Sequence, residues 1–259
     1  MIDGIFISAA GALIQQARHD IAANNVANVN TVGFKKQLAL LESRPPEALI
    51  QGLRSGDWSA GGGLFFGQTV TDFAEGALEH TGNSLDVAVK GKGFFAVSDG
   101  ENTFYTRAGN FSIDPDGFLV TTNGKYRVLN DAGQPINVRG GEVEISRDGS
   151  VFVSQGDTVE GRGVIGVVTF DEVEAGGTDV SKVFEHVGES LYRYHGKLAR
   201  EGEGTIAQGF LEQSTVSVVE ELVSMMEGFR AYEANMMALR NQDATLQRAV
   251  TQVGKVSQQ

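Results

Sequence analysis

The chain has 259 residues, a formal net charge of −12 and no cysteine, so disulfides, thiolate metal sites and cysteine nucleophiles are excluded. Lysine and arginine are scattered, with no run longer than Lys35–Lys36. This absence of a basic face argues against nucleic-acid binding and against docking on an anionic membrane. The sequence contains no apolar stretch of about 18 residues, so it predicts no membrane-spanning helix. The N-terminus lacks the basic region of a cleavable secretion signal.

The N-terminal segment, residues 5–28, is predicted to form a helix. It contains no proline, and apolar residues recur at helical spacing. These residues are Phe6, Ala10, Leu13, Ala17 and Ile21. Asn24, Asn25 and Asn28 crowd its end, where asparagine is favoured because its side chain competes for nearby backbone groups. Gly33 adds a second stop signal.

Residues 37–83 are less regular. They contain Pro45–Pro46, the lone Trp58 and three consecutive glycines at 61–63. We interpret this stretch as an extended connector with at most short strands. A connector of this length in a folded chain is usually functional or disordered, and in an assembling protein its natural role is contact with a neighbour.

The middle of the chain, residues 84–207, alternates apolar and polar residues between turn signals. Asn123–Gly124 and Asp148–Gly149 each separate two short apolar runs and predict hairpins, because these pairs accept the positive φ that a two-residue turn needs. Asp116–Gly117 marks a further turn, and Gly91–Lys92–Gly93 is interpreted as a hairpin turn as well. The spacing of the turns indicates an antiparallel meander, sandwich or open barrel.

The C-terminal segment predicts a long helix with a seven-residue repeat. Ten of eleven positions taken at alternating steps of four and three from Val218 are apolar, Asp243 being the exception. Val219, Val223, Met226 and Met237 form a second apolar stripe, which suggests that more than two helices meet. Forty helical residues would span about 60 Å, so part of the helix must pack outside its own domain.

Together these elements predict an α+β fold. Long terminal helices are expected to pack as a coiled-coil or bundle domain beside a central antiparallel all-β domain. The expected division is residues 1–36 with 208–259 as a discontinuous assembly domain, 37–83 as the connector and 84–207 as the β-domain.

The sequence lacks the common motifs for metal binding, phosphate binding and serine-hydrolase catalysis. The four histidines do not pair at metal-ligand spacing, and Asp114–Pro115–Asp116–Gly117 lacks the spacing of a calcium loop. Gly91–Lys92–Gly93 lacks the remainder of a phosphate loop, and no Gly-x-Ser-x-Gly elbow occurs. We therefore predict no catalytic, cofactor-binding or metal-binding residue and no enzymatic activity.

Several segments resemble the signatures of the bacterial flagellar rod, hook and hook-associated proteins, in the family's order. The N-terminal one is AANNVANVNTVGFK at residues 22–35. The motif that opens the family's β-domain is matched by TGNSLDVAVKGKGFF at 81–95 and continues at 105–111 and 116–120. The C-terminal signature is matched at 209–214, 218–222 and 230–235.

The resemblance implies a structural axial subunit of the flagellar basal-body rod, the drive-shaft between motor and hook. Its partners would be copies of itself, other rod and hook axial proteins and the flagellar type III export apparatus, with the P- and L-ring bushing added for a distal-rod subunit. The implied location is the rod in the periplasmic space, reached without a cleavable signal peptide. The length fits the distal-rod protein or its proximal-rod paralogue and not the longer hook protein. We favour the distal-rod type, with the proximal-rod paralogue or a hook-type subunit as the alternative.

The residues expected to pack between subunits lie on the two terminal helices. They are Phe6, Leu13, Ile21, Asn24, Asn25, Asn28, Leu222, Met225, Phe229, Tyr232, Met236, Leu239 and Leu246. Two other functions stay open at this point: a self-contained adhesin or binding module with a helical stalk, and a β-domain enzyme. A stalk would place its helices on one side of the head, and an enzyme would need a clustered polar site.

Overall fold

The computed structural model describes residues 2–44, 63–170, 183–196, 200–202 and 204–256. Helix α1 spans Ile2–Ala27 and helix α2 spans Val218–Val256. The strands between them are β1 Gln37–Arg44, β2 Gly63–Thr71, β3 Leu78–His80, β4 Val87–Lys90, β5 Phe94–Ser98, β6 Thr103–Thr106, β7 Phe111–Ile113, β8 Leu119–Thr121, β9 Arg127–Val128, β10 Glu142–Ile145, β11 Ser150–Gln155, β12 Thr158–Val164, β13 Val167–Thr169, β14 Phe184–Gly188, β15 Leu191–Tyr194, β16 Arg200–Glu201, β17 Thr205–Gln208 and β18 Phe210–Glu212. The predicted α+β class, with helices at both ends and strands between, is confirmed.

The chain divides into two compact units, whose bounds differ from the expected ones. The helical unit contains the described parts of Met1–Ala27, Gln37–Val70 and Ser217–Gln259, and the β-unit contains those of Asn28–Lys36 and Thr71–Val216. Residues 28–36 and 208–216 therefore belong with the strands. The reason is pairing within the β-unit, where β18 pairs with β3 and the backbone N–H of Gly33 donates to the Glu212 carbonyl at 2.8 Å.

Helix α1 packs against α2 and against β1 in the helical unit. Strands β1 and β2 form a two-stranded sheet. They have eight and nine residues, so the expectation of at most short strands in residues 37–83 was wrong. Pro45–Pro46 and Trp58 lie outside the described residues.

The β-unit is built from antiparallel pairs throughout the part of the chain that the structure describes. Its largest sheet follows the order β14-β15-β6-β5-β9-β8-β7, with β13 on β5 and β16 on β13. A three-stranded sheet, β10-β11-β12, and the pairs β17-β4 and β18-β3 complete it. Its main core contains Val87, Phe95, Leu119 and Ile136, each fully buried. Burying such a side chain stabilises the fold by about 1.5–3 kcal/mol.

Two of the predicted hairpin turns are confirmed and a third was wrong. Gly124 and Gly149 have φ of 71° and 88°, and the strands beside them pair as hairpins, which confirms both predictions. The hairpin expected at Gly91–Lys92–Gly93 was wrong, because β4 pairs with β17 while β5 pairs with β6, β9 and β13. This turn carries the chain from one sheet to another. A Cβ on Gly93 would lie 2.5 Å from Val167 Cγ1, so the crossing is too close for a side chain.

Candidate assembly surface

Helices α1 and α2 meet along small and polar residues. A Cβ added to Gly4 would lie 3.0 Å from Gln242 Nε2, and one added to Gly11 would lie 3.0 Å from Asn235 Nδ2. Further along, a Cβ on Gly228 would lie 3.6 Å from Gln15 Oε1. The residue numbers rise along α1 as they fall along α2, so the two helices run antiparallel. Glycine allows their backbones to approach closely here.

Asn25 joins three segments of the helical unit. Its side chain is 1% exposed. Its Nδ2 donates to the Gln37 carbonyl at 2.9 Å, and its Oδ1 accepts from the Gln37 N–H at 2.9 Å. Nδ2 also donates to Glu221 Oε2 at 3.4 Å. This asparagine therefore connects the end of α1 to the start of β1 and to the first turn of α2.

One line of residues on α2 thus faces α1. Glu221, Gly228, Asn235 and Gln242 lie seven residues apart, and each has its own counterpart on α1. We call these four residues the polar line. Sequence reasoning missed it, although the seven-residue interval was a signal that could have found it.

Large apolar side chains point away from this contact. Phe6 is 68% exposed, Leu13 66% and Phe229 54%. With them, Val219, Leu222, Val223, Met226 and Met237 are also exposed. We call these eight the outer apolar residues. Exposed apolar groups clustered on one structural unit mark an interaction surface.

The structure separates the residues expected to pack between subunits into three groups. The exposed ones are Phe6, Leu13, Asn24, Leu222 and Phe229. The half-buried ones are Ile21, Asn28, Met225, Tyr232, Met236, Leu239 and Leu246. Asn25 alone is buried. All lie in the helical unit except Asn28, which belongs to the β-unit and accepts a hydrogen bond from Thr31 Oγ1 at 3.2 Å.

A second polar cluster, absent from the sequence predictions, lies inside the β-unit. Lys35 Nζ is 2.6 Å from Glu212 Oε1, and Arg107 Nη1 is 3.3 Å from Glu212 Oε2. Lys35 also donates to the Ala74 carbonyl, and Arg107 donates to the carbonyls of Val89 and Gly91. Burial lowers the pKa of Lys35, and the Glu212 carboxylate opposes that shift. We call Lys35, Arg107 and Glu212 the charge triad.

Among the residues that the structure describes, no group of three or more His, Cys, Asp or Glu side chains is placed to hold a metal ion. Within the same residues, neither α1 nor α2 is long and apolar enough to cross a membrane.

Comparison with known proteins gives matches along the chain. Residues 7–35 match the family described as flagella basal body rod protein, residues 88–153 the D1 domain of flagellar hook protein FlgE/F/G, and residues 207–252 the C-terminal part of the flagellar basal body rod FlgEFG protein. The flagellar basal-body rod protein FlgG of Bacillus subtilis (strain 168) is 33% identical over 270 residues, which cover 96% of this chain and 98% of the relative. The chain belongs to the flagellar basal-body rod protein family.

Both rod types occur among the relatives. FlgG of Buchnera aphidicola subsp. Schizaphis graminum (strain Sg) is 35% identical, over 96% of this chain and 98% of the relative. FlgF of Caulobacter vibrioides (strain ATCC 19089 / CIP 103742 / CB 15) is 32% identical, over 99% of this chain and 100% of the relative. The flagellar basal-body rod protein family is a structural family and not a family of enzymes.

The three matched segments of this rod-family protein meet at the charge triad. Lys35 lies in the first segment, Arg107 in the second and Glu212 in the third. The buried ion pairs therefore connect parts of the sequence that are far apart in the chain but belong to one compact β-unit. The outer apolar residues lie on α1 and α2.

Proposed function

We propose that this protein is a structural axial subunit of the flagellar basal-body rod that polymerises through its terminal helices. The observation that carries the proposal is the exposure of the outer apolar residues, above all Phe6, Leu13 and Phe229. These side chains stay exposed although α1 packs against α2 and β1, so they gain from packing against other copies. A repeated head-to-tail contact that does not close generates a filament.

The occupant of this surface is a second copy of the chain or another axial protein of the same family. Support comes from family membership and from the chemistry of the surface, which presents Phe, Leu, Val and Met side chains to solvent. Half-buried Met225, Tyr232, Leu239 and Leu246 would complete a coiled-coil or bundle packing once neighbours add further helices. Methionine adapts to such contacts because its side chain is flexible.

The distal-rod type is the form we favour. FlgG proteins, which are distal-rod subunits, match over nearly the full length at 33% and 35% identity, and the FlgF match at 32% makes the proximal-rod paralogue the second candidate. The proposed setting is the periplasmic rod, reached through the flagellar type III export apparatus without a cleavable signal peptide. For a distal-rod subunit the P- and L-ring bushing would be an additional partner. The stage at which basal-body assembly stops in a deletion strain separates the two types.

The polymerisation role can be tested by adding charge to the surface. Phe229→Asp with Met237→Asp should abolish sedimentable filaments of the purified protein and fail to restore rods in a deletion strain. The matched control is Asn241→Asp with Thr245→Asp, which adds the same two charges at exposed polar positions of α2. The control should assemble normally. Assembly of the Phe229/Met237 variant to the level of the control would refute the role of this surface.

A further inference from the structure

The apolar positions on the inner side of α2 do not by themselves fix how the two helices align. Half-buried Met225, Tyr232, Leu239 and Leu246 follow one another at intervals of seven residues. Sliding α2 by seven residues, about 10.5 Å, brings another apolar side chain to each place. Packing that exchanges one large apolar side chain for another is tolerated comparatively well. These four residues therefore hold the helices together without selecting one register.

The polar line does distinguish one register from another, because its members differ in size and each fits a different counterpart on α1. The amides of Asn235 and Gln242 occupy the space beside Gly11 and Gly4. Gly228 in turn leaves space beside the side chain of Gln15.

A slide of seven residues destroys this match in either direction. If Asn235 moves to Gly4, Gly228 comes opposite Gly11 and two glycines leave a gap between the helices. If the slide is reversed, Asn235 moves toward Gln15 and two amide side chains compete for one space. Both slides separate Glu221 from Asn25 and break their hydrogen bond, which spans 3.4 Å from Nδ2 to Oε2.

The polar contact also carries a cost. Gln15 Oε1 and Gln242 Oε1 are buried and have no hydrogen-bond partner among the described residues. A buried acceptor without a partner lowers stability relative to an apolar side chain in the same place. Polar residues kept at helix contacts despite such a cost are known to specify register and partner.

We propose that the polar line, with Gly4, Gly11, Gln15 and Asn25, fixes the register in which α2 pairs with α1 of the same chain. This inference deepens the proposed function, since a single register presents the outer apolar residues to other copies in one arrangement. The register is a property of one chain and can be measured in dilute monomer, so it can fail while polymerisation stands, and the reverse also holds.

Disulfide trapping can measure the register directly, because the chain has no cysteine of its own. Gly11→Cys with Asn235→Cys reports the observed register, since a Cβ on Gly11 lies 3.2 Å from Asn235 Cγ, within reach of a disulfide. Gly4→Cys with Asn235→Cys reports a slide of seven residues. In the otherwise unaltered chain we expect the first pair to cross-link within monomers at least tenfold more than the second.

Replacing two members of the polar line with leucine should allow α2 to pair with α1 in the shifted register as well as in the observed one. In a Glu221→Leu, Gln242→Leu background we expect the Gly4/Asn235 cysteine pair to cross-link to a similar extent as the Gly11/Asn235 pair. The matched control is Glu220→Leu with Asn241→Leu, which adds the same two leucines at exposed neighbouring positions and should leave the tenfold preference intact. An unchanged preference in the Glu221/Gln242 variant would overturn the proposal. Loss of both cross-links there would also overturn it, because the apolar positions should still hold the helices together.

Discussion

Lys35 Nζ lies 2.6 Å from Glu212 Oε1, and their side chains are 0% and 1% exposed. Arg107 Nη1 approaches the other carboxylate oxygen of Glu212 at 3.3 Å, so one acid serves two buried cations. Removing water from three charged groups is expensive, and their attraction offsets the cost only while all three are present. The triad thus makes the segment after α1 and the segment before α2 dependent on each other within the β-unit.

Glu212→Gln should destabilise the protein strongly, because it leaves two buried cations without a counter-ion. We expect the free energy of unfolding of the β-unit to fall by about 3–5 kcal/mol in a denaturant titration. The matched control is Glu185→Gln, which removes an exposed carboxylate that contacts Arg193 Nη1 at 3.4 Å and His195 Nε2 at 3.1 Å. The control should change stability little, since exposed ion pairs are screened by solvent. Equal effects of the two replacements would show that the triad carries no special share of the stability.

The stability of the β-unit should depend on pH through His186. Its ring packs against Phe34 and Tyr192, and burial lowers its pKa below the ordinary 6.5. As pH falls from 6.5 toward this lowered pKa, the unfolded chain binds the proton first, so the native state loses stability. We expect the drop in melting temperature between pH 7.5 and pH 5.5 to be smaller in His186→Gln than in the unaltered chain.

The same replacement at exposed His80 is the control for this pH experiment. His80→Gln should keep the full drop in melting temperature. A drop in His186→Gln that equals the drop in His80→Gln would exclude His186 as the source of the pH dependence.

Residues 37–83 are predicted to contact neighbouring subunits and to stiffen the assembly. Leu38, Leu64 and Phe66 of the β1–β2 sheet are exposed, and such groups are usually covered in a working assembly. A deletion of residues 45–62 should leave the melting transition of the β-unit unchanged. It should alter the length or curvature of assembled rods, measured by electron microscopy. Rods of normal length and curvature would contradict this prediction.

Local patterns in the sequence were sufficient for the elements but not for the contacts between them. Helical periodicity located α1 and α2 within a few residues, and Asn123–Gly124 located a hairpin, because these signals depend on neighbouring residues only. The seven-residue repeat starting at Val218 was predicted as one apolar face, but it contains residues from two faces of α2. Met225 and Tyr232 are half-buried, whereas Leu222 and Phe229 are exposed.

The inner face of α2 is shared with polar residues, and apolar periodicity cannot detect them. Glycine contributes no side chain to a hydrophobic pattern, yet Gly11 and Gly228 decide where the helices come close. The charge triad was equally hidden, since Lys35 and Glu212 are separated by 177 positions in the chain. Lysine and glutamate are residue types that usually lie on the surface, so neither position indicates burial by itself. The two meet because the chain after α1 pairs with the end of β18, where the Gly33 N–H donates to the Glu212 carbonyl.

Amide hydrogen exchange tests most directly whether the terminal helices are the polymerising elements. In dilute monomer we expect residues 87–153 of the β-unit to be strongly protected, while residues 2–27 and 240–256 exchange faster, because the α1–α2 pair closes in one register but opens often when no other copy covers it. In assembled rods both helical segments should become as protected as the β-unit, since ordering on assembly is offset by burial of the outer apolar residues. Helices that are already as protected as the β-unit in dilute monomer, or that gain no protection on assembly, would contradict polymerisation through these helices.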